Sequence, residues 1–174
     1  QNVKKSKYVE ETMYHRRLDA SRVLNKDFNQ DFPQKQVRAY TDLYDNAISL
    51  MRSKDLEAFD LTKEPQELRD RYGSDNFGQG CLLARRLVEN QVRFIEVSYG
   101  GWDMHNDVFG NMETRGAVLD SGLSSLLEDL NVRGLLSQTM VVVASEFGRS
   151  PEVKAGRVGR DHHPSAFSVF FAGG

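Results

Sequence analysis

The sequence contains little cysteine and no long apolar run, and each absence excludes a class of protein or site. Its single cysteine, Cys81, can form neither an internal disulfide nor a cysteine-based zinc site, so we expect a small buried apolar residue. No window approaches the roughly 18 uninterrupted apolar residues that a membrane-spanning helix requires, which predicts no membrane span. An excess of one charge is also lacking. The 23 basic and 25 acidic residues are interspersed, so we do not expect nucleic acid as a partner.

The ends of the sequence predict that it is a fragment of a longer protein. The chain opens at Gln1 without an initiator methionine and stops at Gly174 directly after an apolar run. Its 174 residues suffice for a domain with a core of its own. We divide them into a polar, helical N-terminal segment, residues 1–36, and a region, residues 37–174, that carries the remaining pattern.

Apolar residues recur at steps of three and four in several stretches, which is the spacing of one helix face. A short helix is predicted after Thr62, with Pro65 tolerated in its first turn and Gly73 at its end. Gly134 stands where a left-handed residue after a helix is least costly. The other predicted helices cover residues 7–25, 37–51, 77–90 and 118–130.

Three stretches have the composition of β-strands, namely residues 92–99, 139–144 and 166–172. The first two are separated by a helix, which predicts a parallel pair with a right-handed crossover, and the fold class is therefore α/β with a mostly parallel sheet. The stretch 146–165 contains glycine and proline without a helical stripe. The third strand therefore either runs antiparallel to the others or follows a long loop that returns over the sheet edge.

Ligand-type side chains are concentrated in the loops around these strands. Loops that follow parallel strands lie at one edge of a sheet, where open α/β sheets bind ligands, so we expect these side chains to meet. Neutral imidazole and carboxylate suit borderline divalent metals such as Zn²⁺ or Mn²⁺. The candidates are Asp103 and His105 after the first strand, Glu146 and Arg149 after the second, and Arg160, Asp161, His162 and His163 before the third.

Specific roles follow from the chemistry of these side chains. Asp103, His105 and one of the histidines 162 and 163 would supply three metal ligands and leave one coordination position open. Asp161 could orient an imidazole by accepting its second N–H. Arg149 or Arg160 could bind anionic oxygens bidentately. Glu146 could assist at a second metal position, or could instead form a surface ion pair with either arginine.

Three ordered blocks of the sequence resemble a known family. GWDMH (101–105), TMVVVASEFGRSP (139–151) and GRDHHPSAFSVFFAGG (159–174) are similar to the bacterial domain-of-unknown-function family 1501, a sulfatase-like branch of the alkaline phosphatase superfamily. The resemblance implies an α/β/α sandwich and a metal-dependent hydrolase of phosphate or sulfate esters. It also implies export to the periplasm or the cell exterior. The signal and the nucleophile would both precede Gln1, so we expect the fragment alone to be inactive.

The resemblance also assigns ligands, with two departures. It implies that Asp103, His105 and His162 bind one metal, and that Glu146 stands where the superfamily has an aspartate ligand of a second metal. Phe147 follows it where a histidine ligand is usual, and the Asp103–His105 spacing is shorter than in alkaline phosphatases. These departures support a competing hypothesis, an exported non-catalytic binding module that retains the fold. In a third hypothesis, the loops have only structural roles.

Overall fold

A computed structural model describes residues 6–174 and separates the chain into two compact units, a first one that ends at Glu57 and a second one, Ala58–Gly174. The first unit is a pair of helices, α1 (Glu11–Asp31) and α2 (Lys35–Arg52), as the helical spacing predicts. The side chains of Asn29 and Thr41 join the two helices through a hydrogen bond of 3.1 Å.

The second unit is built on the packing of two long helices, α4 (Asn76–Glu89) and α5 (Val108–Val132), with the short α3 (Gln66–Arg71) beside them. Cys81 is buried in their core, as predicted, and burial raises the pKa of its thiol to about 12. Gly134 follows α5 with a φ of 70°, which confirms its left-handed conformation. The buried core consists of Tyr72, Phe77, Cys81, Leu82, Leu126 and Leu130. Short 3₁₀ helices cover Lys54–Phe59, Leu61–Lys63 and Leu136–Gln138.

Two small antiparallel sheets complete the second unit. Strand β1 (Val141–Val143) pairs with β4 (Phe170–Ala172), and β2 (Gly148–Arg149) pairs with β3 (His162–His163). The predicted third strand therefore does run antiparallel to the second. Among the residues that the structure describes, no helix has the combination of length and apolar composition needed to cross a membrane.

The prediction of an α/β sandwich with a mostly parallel sheet is wrong. Both sheets have two strands and are antiparallel, and residues 92–99 form no strand with any described part of the chain. Val97 and Tyr99 instead pack against the α4–α5 core, where the Tyr99 ring stacks on Phe77 with 4.7 Å between ring centroids. Ile95, Val97 and Tyr99 are half-buried whereas Val92 and Phe94 are exposed, so this composition does not require a partner strand.

A buried group of charges joins three segments of the second unit. The Arg85 side chain is 1% exposed and forms ion pairs with Glu64 (2.8 Å), Glu89 (2.6 Å) and Asp129 (2.9 Å). Tyr72 donates a further hydrogen bond of 3.1 Å to Asp129. A buried charge without partners is costly, and the three carboxylates offset the cost of burying the Arg85 guanidinium.

The buried ion pairs predict that the second unit loses stability in acid. Burial alone would raise the pKa of Glu64 and of Asp129, but hydrogen bonds and charge from the neighbouring arginines outweigh it and lower both below their ordinary values of 4.5 and 3.8. The unfolded chain therefore binds these protons more tightly. The stabilisation is complete above about pH 4.5 and is lost as the pH falls through the lowered values, by up to about 1.4 kcal/mol per pH unit for each group.

Urea unfolding at pH 7 and pH 3, followed by the fluorescence of Trp102, the single tryptophan, measures this loss. An Arg85→Met variant lacks the cation that lowers both pKa values together with Arg86 at Glu64 and Arg133 at Asp129, so its stability should depend less on pH. Equal free energies of unfolding at the two pH values in the unaltered protein would contradict the expectation.

Candidate metal centre

Two loops that are distant in sequence lie side by side at the start of α5. The amide of Arg160 donates to the carbonyl of Met104 (3.1 Å), and the amides of Asp107 and Val108 donate to the carbonyls of Arg157 (3.0 Å) and Val158 (2.8 Å). Met104 is buried and anchors the first loop. These bonds hold residues 103–105 against residues 157–162.

The contact between the loops depends on a glycine and on two residues in left-handed conformation. A Cβ atom at Gly159 would lie 1.9 Å from the carbonyl oxygen of His105, so no larger residue fits there without movement of the backbone. Asp107 and Val158 have φ angles of 43° and 51°. Such values are uncommon for residues other than glycine and are costly for a β-branched one. The backbone around the contact is therefore strained.

Three donor atoms converge on the exposed side of this contact. Asp103 Oδ1 lies 2.9 Å from His162 Nε2 and 3.1 Å from His105 Nε2, and the two imidazole nitrogens are 3.2 Å apart. The three side chains form the group of potential metal ligands found among the described residues. Their exposed fractions of 64%, 34% and 46% leave the donor atoms accessible from solvent.

The donor set fits a divalent cation. Two imidazoles and one carboxylate are the ligands that zinc and similar borderline metals prefer, and a tetrahedral site with bonds of about 2.0–2.1 Å separates adjacent donors by about 3.3 Å. The observed separations of 2.9–3.2 Å are close to that value. Asp103, His105 and His162 are therefore the residues that would hold the metal.

The register of the β2–β3 pair places Arg149 beside this group. Arg149 and His162 are directly opposite each other across the pair. The guanidinium of Arg149 donates to Asp103 Oδ1 and also to the carbonyls of Trp102 and Arg160, each at 3.3 Å. The pKa of Asp103 is lowered to about 2. The hydrogen bond from Arg149 is the largest cause, and the hydrogen bond with His162 is the next. Asp103 is thus a carboxylate at neutral pH, as a metal ligand must be.

Two further residues fix the orientation of the imidazoles. Asp161 Oδ1 lies 3.5 Å from Nδ1 of His105, on the side of the ring away from Asp103. This contact orients the ring so that its Nε2 faces Asp103. Lys154 and Arg157 form ion pairs with the same aspartate. The ring of Phe147 packs on the ring of His162 with 4.4 Å between centroids. The imidazole that Asp161 contacts, as the sequence predicts for one of the histidines, is that of His105.

The structure does not bring the remaining candidates into the group. Glu146 is exposed and lies outside it. His163 is half-buried and, as the neighbour of His162 in β3, points to the other side of the strand. Arg160 donates to the carbonyls of Ser150 (2.8 Å) and Pro151 (3.0 Å), so its guanidinium holds a loop. Of the two adjacent histidines, the geometry favours His162.

Sequence reasoning missed the parts that Gly159 and Phe147 play. Gly159 directly precedes the Arg160–His163 block, and its position there could have indicated a close backbone contact. In the sequence, Phe147 stands out only as a departure from a histidine ligand. No sequence signal indicated that its ring would support the ring of His162.

The folded loops thus define a candidate two-histidine, one-aspartate metal centre in the second unit. The model of the family described as "Protein of unknown function (DUF1501)" matches residues 1–174, and the chain belongs to this family. Comparisons with curated proteins and with solved structures found no match.

Proposed function

We propose that this protein is a metal-dependent hydrolase of phosphate or sulfate esters that acts outside the cytoplasm, with Asp103, His105 and His162 as the ligands of one divalent cation. The observation that carries the proposal is the convergence of three donor atoms within 3.2 Å from residues 57 and 59 positions apart in the chain. These contacts bring one carboxylate oxygen and two imidazole nitrogens close enough for a single cation to bind all three.

The residues of the site have complementary roles in this proposal. A divalent cation, when bound, would polarise a phosphoryl or sulfuryl oxygen of the ester. Arg149 is the cationic side chain nearest the ligands, and its planar fork suits bidentate binding of an oxyanion. Asp161 keeps His105 in the orientation that directs Nε2 toward Asp103. The exposure of all three ligands lets an ester reach them from solvent.

The two adjacent histidines provide the test. After treatment with EDTA, the chain is titrated with Zn²⁺ and with Mn²⁺ by calorimetry, and the full-length protein is assayed with p-nitrophenyl phosphate and p-nitrophenyl sulfate. We expect one cation per chain and metal-dependent hydrolysis of one ester. His162→Ala should weaken cation binding about 100-fold or more and abolish hydrolysis, since a ligand is lost. His163→Ala is the matched control and should retain both.

A second candidate function is a non-catalytic, metal-binding module. The observation in its favour is that Glu146 lies outside the group and Phe147 offers a packing surface where a further ligand would be needed. Stoichiometric cation binding that His162→Ala removes, without hydrolysis of either ester by the full-length protein, would support this candidate and contradict the hydrolase. Equal cation binding by the His162→Ala and His163→Ala variants would contradict both.

A further inference from the structure

One carboxylate oxygen of the site already has a cationic partner. Asp103 Oδ1 accepts from the guanidinium of Arg149 and is also the atom on which the two imidazoles converge. The Arg149 side chain is 22% exposed, so it is less accessible than the carboxylate, which is 64% exposed. An incoming cation therefore meets an oxygen that is open to solvent and already bonded to a fixed positive charge.

The two positive charges oppose each other at this oxygen. A divalent cation and a guanidinium within a few ångströms repel one another, even where solvent screens the interaction. Arg149 also has two acceptors that are not metal ligands, the carbonyls of Trp102 and Arg160. Its bond to Asp103 can therefore break while the side chain stays tethered to the same two loops.

We propose that Arg149 is a resident counter-cation of Asp103 that competes with the divalent cation for Oδ1 and, once displaced, offers the freed Nη2–H to a tetrahedral oxyanion. This inference rests on the proposed cation site but not on hydrolysis. Binding of the cation and binding of the oxyanion then favour each other, because the cation exposes a donor that the oxyanion uses.

Two calorimetric titrations test the inference on the full chain. In the first, Zn²⁺ is added to the EDTA-treated protein and to its Arg149→Met and Arg149→Lys variants. We expect Arg149→Met to bind Zn²⁺ about tenfold more tightly, since the competing charge is gone, and Arg149→Lys to stay near the unaltered protein. In the second, sodium sulfate is added to the Zn²⁺-loaded proteins. Arg149→Met should bind sulfate about tenfold more weakly.

Unchanged or weaker Zn²⁺ binding by a folded Arg149→Met variant would overturn the inference, because a residue that merely tethers the loops can only weaken the site when removed. Equal sulfate binding by the loaded proteins would also overturn it. If the variant does not fold, the guanidinium Nη–H signals of Arg149 in the unaltered protein are followed by NMR, and signals that Zn²⁺ leaves unchanged overturn the inference. Absence of Zn²⁺ binding to the unaltered protein would overturn the cation site itself, which separates the two failures.

Discussion

Replacing Arg85 with methionine is expected to destabilise the second unit by about 3–5 kcal/mol. The variant leaves three carboxylates, those of Glu64, Glu89 and Asp129, facing a site that has lost its cation. Glu64 keeps an ion pair with Arg86, and Glu89 and Asp129 keep ion pairs with Arg133, so the loss comes from removing the buried cation that all three carboxylates share. Urea unfolding at pH 7, followed by Trp102 fluorescence, measures the difference.

Arg71→Met is the control for this measurement. Arg71 also forms an ion pair, with Glu128 at 3.5 Å, but the two side chains are 43% and 60% exposed. Exposed pairs contribute about 1 kcal/mol or less, so this variant should unfold at nearly the same urea concentration as the unaltered protein. A similar loss in both variants would contradict the view that burial makes the Arg85 pairs matter.

Gly159→Ala is expected to weaken cation binding strongly without unfolding the chain. The added methyl group would lie 1.9 Å from the carbonyl oxygen of His105, so the loops that carry His105 and His162 must separate. Overpacking of this kind costs about 1–3 kcal/mol of stability. Displaced ligands should weaken Zn²⁺ binding about 100-fold. Calorimetric titration with Zn²⁺ and urea unfolding together measure the two effects.

Gly100→Ala is the matched loop control for Gly159→Ala. Gly100 lies a few residues before the ligands, and a Cβ atom there would meet nothing within 4 Å. This variant should therefore bind Zn²⁺ like the unaltered protein. If Gly159→Ala bound Zn²⁺ just as tightly, the ligand geometry would not depend on the close approach of the two loops.

The helices were predictable because their signal is local. The apolar stripes of residues 37–51 and 77–90 correspond to α2 and α4 within one or two residues. Helix α5 begins at Val108, ten residues before its predicted start at 118, because the first turns lack an apolar stripe and are set by the Asp107 cap. The parallel sheet was predicted wrongly, since the composition of residues 92–99 does not specify a partner.

The residues of the candidate site were predictable, but the way in which they assemble was not. Asp103, His105 and His162 were candidates from their side-chain chemistry, and the structure groups them although the parallel sheet expected to align their loops is absent. The loops meet instead through backbone bonds and through Gly159. Such contacts depend on shape at long sequence separation. Neither spacing nor composition could show that Arg149 would share an oxygen with two histidines.

The β2–β3 pair limits where the loop between its strands can vary in length. Only two residue pairs form it, Gly148 with His163 and Arg149 with His162. A slip of one position would turn His162 away and present His163 in its place, because neighbouring strand residues face opposite sides. Bonds on either side prevent that slip, from Ser150 to Asp161 (2.9 Å) and from Gly148 to Ala166 (2.7 Å). Insertions or deletions are therefore tolerable only at the exposed tip near residues 155–156, between these anchor points.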